Sequence, residues 1–342
     1  MKLGGFPERN WRGRWPRILF LGAALPLLAT VTRPGPSPPP PGPGEGRILV
    51  SAVALDAARP ERRAVGGLRF LAGWSLASDD LRFGGISGLH LEGGEVIAIS
   101  DVGMVARFPV PVRAGRLPVR FDPLIEGPGP RSPKSNRDTE ALLVRGDRLW
   151  AGFERQNMIW RYDRSSLRVQ SAARPAAMRR WGGNRGAEAL VRLDDGRFLV
   201  MAEGRDDGGA HSDVVLFEGD PSRPAAAATA LRFRRPPGYR ATDAALLPDG
   251  RILILSRRFS VWDGFTARLT VANVSRLAAG ATIEGREIAA LAPPLTVDNM
   301  EAMAVTRENG RTIVWLASDD NFSPLQRTLL LKFELIAEPS PG

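Results

Sequence analysis

The sequence contains no cysteine, which excludes disulfides, zinc–thiolate sites and thiol nucleophiles. It has two histidines, His90 and His211, too few for a multi-histidine metal site. Lysine is nearly absent: of 47 basic side chains only Lys2, Lys134 and Lys332 are lysine. No glycine-rich phosphate-cradling loop occurs, and no long amphipathic helical pattern. Hydrophobic residues make up 43% and charged residues 25% of the 342, an ordinary globular composition that excludes wholesale disorder and a multi-span membrane protein. The net charge of +10 is thinly spread. Beyond residue 46 the arginines are scattered without a dense run, which fits a codon bias better than a nucleic-acid surface.

The amino terminus has its own organisation. Residues 2–17 are basic, and Ile18–Val31 is an uncharged, almost wholly apolar run. A Pro/Gly-rich stretch (RPGPSPPPPGPGEG, 33–46) follows. Basic head, short apolar run and polar exit describe a signal peptide or signal anchor over residues 1–32. The run is shorter than the roughly 20 residues that span a bilayer. The proline tract reads as a stiff linker over 33–46. The fold itself, 47–342, is therefore expected outside the cytoplasmic membrane, periplasmic or secreted, and tethered to the inner membrane if the amino-terminal segment is uncleaved.

A repeat runs through that fold. Five segments read alike, beginning GGISGLHLEGGEVIAISDVG at Gly84, RDTEALLVRGDRLWAGFE at Arg137, RGAEALVRLDDGRFLVMAEG at Arg185, RATDAALLPDGRILILSRR at Arg240 and DNMEAMAVTRENGRTIVWLASDD at Asp298. Their spacing is about 50 residues, the size of a propeller blade. Each unit holds an apolar strand, a tight turn such as PDGR or ENGR, and a β-rich return strand. The Asp-Gly and Asn-Gly pairs supply the positive φ that such turns need. A third strand and a more polar fourth follow. The reading is all-β: a β-propeller of four-stranded antiparallel blades, five by motif count, with a sixth left open by ILVSAVALD (48–56). The last unit lacks a fourth strand, so residues 67–77 (GLRFLAGWSLA) are expected to close the ring beside Arg327–Leu335.

Hairpin geometry brings the start of each first strand beside the end of the second. The aligned starts are Ser87, Glu140, Glu188, Asp243 and Glu301, and the ends are Asp101, Glu154, Glu203, Arg257 and Asp319. Eight of these ten are carboxylates. An acidic ring at one mouth of the central channel is thus expected, with Arg137, Arg185 and Arg240 beside it to clamp an anionic group. Clustered carboxylates repel unless protons or cations intervene. Oxygen-only ligands favour hard cations, calcium first, and a metal with arginines can polarise a phosphoryl group and activate water. Such acids also serve to bond neighbouring backbone amides. His90 lies three residues after Ser87, but a hydrolase triad needs a spatial meeting that sequence does not give. His211, with Asp206, Asp207 and Asp213, reads as a surface loop, and Trp150, Trp160, Trp181 and Trp315 as packing between blades.

The strings SDDNFSPLQRTLLLKFEL (318–335), NRGAEALVRLDDGRFLVMAEG (184–204) and GGISGL…AISDVG (84–103) resemble the phytase-like, or "esterase-like activity of phytase", family over roughly residues 65–336. The resemblance implies a secreted propeller and phosphoester hydrolysis. It carries Asp101, Glu140, Glu188, Glu203, Glu301, Asp319, Asp320 and Asn321 onto this chain. Where it leads one to expect Asp-Arg-Gly, the chain reads Asp101-Val102-Gly103. Together these readings assign Glu188, Glu301 and Asp319 to catalysis and Arg137, Arg185 and Arg240 to substrate. Asp101, Glu140, Glu188, Glu203, Asp243, Glu301 and Asp320 are assigned to a calcium ion. The expected partner is a small phosphoester or other anionic ligand, with no nucleic acid, and with the membrane met only through the amino-terminal segment. The rival readings are a non-catalytic binding propeller and an esterase or lactonase propeller.

Overall fold

The computed structural model describes residues 42–130, 136–183, 185–204 and 209–336. The signal segment and most of the linker lie outside them. Alternating apolar residues and turn glycines give antiparallel hairpins throughout, as the period-2 pattern dictates. No α-helix occurs among the described residues, and a 3₁₀ turn stands at Ala176–Met178.

Five blades surround a central axis. Their innermost strands are Ile86–Glu92, Thr139–Arg145, Ala187–Arg192, Arg240–Leu246 and Met300–Glu308, each in contact with the innermost strand of the next blade, the fifth with the first. Each is followed outward by two more antiparallel strands of its own unit. The first four blades add their own fourth strand: Gly115–Pro123, Val169–Ala173, Ala228–Arg234 and Gly285–Leu291. In the fifth, Leu68–Ala77 supplies it and pairs antiparallel with Thr328–Leu335, Leu76 opposite Thr328. The ring is therefore closed as expected by an amino-terminal strand.

Residues 48–56 do not begin a sixth blade. The strand Gly44–Ala52 lies between the outermost strands of the first and fifth blades and is antiparallel to both. Gly44 stands opposite Phe121 on one side, and Ser51 opposite Ser75 on the other. The fold thus takes in the last three residues of the Pro/Gly-rich stretch. Ile48 and Val50 are buried in the core between these blades, with Trp74, Phe121 and Trp315. Trp74 stacks on Trp315, ring centroids 6.3 Å apart, and Trp150 donates to Asp220. Trp150 and Trp315, two of the four tryptophans read as packing, are thus buried between strands.

Candidate functional site

Every innermost strand carries a β-bulge near its start. The ladder steps from Thr139 to Ala141, from Ala187 to Ala189 and from Met300 to Ala302. The residues left unpaired are Glu140, Glu188 and Glu301. A bulge re-aims a side chain that a regular pleat would send elsewhere. Here three glutamates from three blades turn to the same end of the channel. In the first blade the bulged residue is Ser87.

In the fourth blade the bulge falls on Thr242, between Ala241 and Asp243. This corrects the sequence alignment by one residue. Thr242, not Asp243, occupies the ring position, and its hydroxyl donates to the Met300 carbonyl at 3.2 Å. Ser87 does the same to Thr139, at 2.6 Å. Asp243 instead accepts the amides of Ala244 and Met303, both at 2.7 Å, and so fastens the fourth blade to the fifth.

The ends of the second strands face this ring. The amides of Asp101, Glu154 and Asp319 donate to equivalent carbonyls, those of Gly85, Asp138 and Asn299. The approach of Glu154 is close: a Cβ on Gly186 would lie 2.4 Å from the Glu154 backbone, so glycine is required there. Asp101 is held near Gly85 (φ +62°), where a Cβ would sit 2.6 Å from Oδ1.

Two acidic groups result. Asp138, Glu140 and Glu154 of the second blade each offer a carboxylate oxygen within 4.8 Å of the others. Glu188 and Glu203 continue this group into the third blade. Glu301, Asp319 and Asp101 form the second group, across the fifth and first blades. Between the groups, the fourth blade contributes Arg257. Its guanidinium lies 2.9 Å from Glu301 and 3.5 Å from Glu203. Arg240 adds a bond to Glu203 at 3.0 Å, and Arg155 one to Asp138 at 2.9 Å.

The electrostatics follow from this crowding. Burial first, then repulsion from Asp138 and Glu203, pushes the Glu154 carboxyl up to about 8. Burial holds Glu140 and Glu188 well above the carboxylate range, helped by their acidic neighbours. Asp319 is raised by burial and then by Glu301 and Asp101. Arg257 is raised despite its burial, because Glu301, Glu203 and Glu188 surround it. Among the described residues no hydrogen bond reaches the carboxylate of Glu140 or Glu188. Both therefore face the channel mouth with lone pairs open to a proton or a cation.

The remaining assignments divide. Glu188, Glu203, Glu301, Glu140, Asp101 and Asp319 meet at the mouth. Asp320 is taken up elsewhere: it accepts the amides of Gly85 and Phe322 and the Thr328 hydroxyl, which ties the fifth blade to the first. Arg137 is buried and donates to the carbonyls of Ile125 and Gly129, so it pins a loop and is not open to a ligand. Arg185 is half-buried, near Trp181, Gly204 and Asp213. Arg240 keeps the mouth position expected of it. Asp138 was not found by the repeat, because its counterparts are Gly85, Gly186, Arg240 and Asn299. Ser87 is fully buried, while His90 lies among residues of the opposite channel opening, close to Glu92 and Arg164. The two do not form a triad. Asp206 and Asp207 lie outside the described residues.

A family model described as phytase-like, "esterase-like activity of phytase", matches residues 81–322. No curated protein matches the chain. Among solved structures, the glutaminyl cyclase of Myxococcus xanthus is similar at 14% identity, with a TM-score of 0.44 over 78% of this chain and 96% of that one. A luciferin-regenerating enzyme is similar at 11% identity, with a TM-score of 0.42 over 85% and 95%. The Cps50 (Swd1) β-propeller domain of Myceliophteria thermophila is similar at 12% identity, with a TM-score of 0.36 over 76% of each chain.

Proposed function

The chain belongs to the phytase-like family, and from that premise we propose that it is a hydrolase of phosphate esters whose reaction takes place at the acidic channel mouth. The observation that carries the reading is the trio Asp138, Glu140 and Glu154, with oxygens within 4.8 Å of one another and Glu140 free of any hydrogen bond among the described residues. An all-oxygen, multiply anionic donor set fits a hard divalent cation, and calcium best. When bound, such an ion supplies charge neutralisation, polarises an ester oxygen and acidifies a water molecule.

The chain's own residues supply the rest. Arg155 and Arg240 are partly exposed, 43% and 41% by side chain, and offer forked donors to an anionic group entering the mouth. Burial and the neighbouring Glu203 favour the protonated form of Glu188, which can give its proton to the oxygen of a departing alcohol. Arg257 holds Glu301 and Glu203 in place, which keeps the acidic walls from repelling an anionic substrate. We locate this activity outside the cytoplasmic membrane, on the basis of the basic head and the apolar run Ile18–Val31.

The test compares release of inorganic phosphate from a small phosphomonoester in calcium and in chelator, for the wild type and Glu188→Gln. Calcium-dependent release that falls about 10²-fold or more in kcat for Glu188→Gln supports the reading. No release in calcium, or release untouched by Glu188→Gln, overturns it. Hydrolysis of a carboxylic ester in its place would make this an esterase propeller.

A further inference from the structure

The innermost strands all start at the acidic mouth and run away from it. This fixes which loops lie on the mouth face. The connecting residues 78–85, 124–130, 136–138 and 319–327 lie there, as does the turn of the fourth blade's second hairpin. These segments carry five of the eight large hydrophobic side chains that the described residues expose: Leu81, Ile125, Val261, Trp262 and Leu325. They come from four loops, of the first, fourth and fifth blades.

The fourth-blade hairpin is built to project. Its strands Ile252–Ser260 and Gly264–Ala272 run nine residues each, against six and six in the second blade's Arg148–Phe153 and Met158–Asp163. Pairing continues for three residues beyond Arg257 at the mouth, through Ser260 opposite Gly264, or about 10 Å at roughly 3.4 Å per residue. The turn is rigid. Asp263 accepts from Ser260 and Arg258, the Ser260 hydroxyl accepts the Asp263 amide, and Phe259 packs on Phe265. Trp262 is 93% exposed at its tip.

The chain also enters the fold on this face. Gly44 pairs with Phe121, at the mouth end of its strand. Arg82, next to Leu81, donates to the carbonyls of Gly42 and Glu45. Ten residues separate Gly42 from the apolar run Ile18–Val31.

We propose that the mouth face docks on a lipid bilayer, with Trp262 and Val261 entering the headgroup region and Leu81, Ile125 and Leu325 resting on it. Apolar tips on separate loops suit a soft, wet-to-apolar boundary, where tryptophan is favoured. The tether and the tips act on one face, so each brings the other to the membrane. Docking turns the acidic mouth toward lipid headgroups and stands apart from the hydrolase reading.

The absence of cysteine permits a direct test. Full-length Leu325→Cys and Val112→Cys each take one polarity-sensitive fluorophore; Val112 is exposed on the opposite face. Each is bound to phosphatidylcholine vesicles containing phosphatidylglycerol and a doxyl-labelled lipid. The probe at 325 is expected to shift to the blue and be quenched several-fold more than the probe at 112. Adding Trp262→Ser should remove most of that difference while leaving the melting temperature unchanged. Equal quenching at the two positions, or a difference indifferent to Trp262→Ser, overturns the proposal. So does a blue shift at 325 that appears without vesicles and grows with protein concentration, which would identify a second copy as the occupant.

Discussion

Thr242 donates its hydroxyl to the carbonyl of Met300, the residue immediately before Glu301. Ser87 does the same for Thr139, immediately before Glu140. The hydroxyl residues at the ring position are therefore blade-to-blade fasteners, and the glutamates at the same position are not. Thr242→Val keeps the shape and removes the donor. It should cost about 1 kcal/mol in denaturant unfolding and leave calcium binding unchanged. A loss of calcium binding would show that Thr242 belongs to the site.

Arg257 is the cation between the two acidic groups. Arg257→Gln leaves Glu301 and Glu203 buried without it, a loss of about 3 kcal/mol. Chemical unfolding of both proteins measures this, and a defect within about 0.5 kcal/mol would refute the role.

The raised Glu154 carboxyl predicts an uncommon pH profile. Its folded value of about 8 lies above its ordinary value of 4.5. Between these the folded state holds a proton that the unfolded state has released. Stability contributed by this group is therefore full below about pH 4.5 and falls as pH rises toward 8. In chelator the melting temperature should drop across that window, and Glu154→Gln should flatten the slope. A melting temperature that climbs from pH 5 to 8 would contradict this.

Calcium should reverse the loss. Binding to the folded state alone adds about 2.7 kcal/mol at a hundredfold excess over the dissociation constant. Asp138→Asn with Glu140→Gln should abolish that shift and raise stability in chelator, because the burial of Glu140 among acidic neighbours is relieved. If wild type melts identically in calcium and in chelator, the acids hold protons and no metal.

The clasp strand gives a packing prediction. Ile48 is fully buried and its neighbour Leu49 is half-exposed. Ile48→Ala should cost about 3 kcal/mol and Leu49→Ala within about 0.5 kcal/mol, read by urea unfolding. Equal effects would mean that the strand is not seated as described.

The sequence carried the blade plan openly, since turn pairs such as Asp249-Gly250 and Asn309-Gly310 recur at blade spacing. It also carried the closing strand, because one unit ended without its fourth. What it hid was local geometry. A bulge inserts one residue without a signature, so Asp243 aligned where Thr242 stands. Asp138 was missed because no other blade repeats it. The pull of the Ile125 and Gly129 carbonyls on Arg137 depends on a loop whose path the pattern does not encode. The strand 44–52 looked like the start of a further unit because pairing with two blades leaves no mark on its alternation.

That strand has a mechanical consequence. Seven of its residues pair with the first blade and four with the fifth, and its leading end points toward the mouth. A force applied through the upstream chain therefore runs along the strand axis. It loads the ladder bonds on both flanks together, in shear, and does not unzip them one after another. A propeller tugged by its amino-terminal end would resist as a whole, with its weakest seam under the strand that takes the strain.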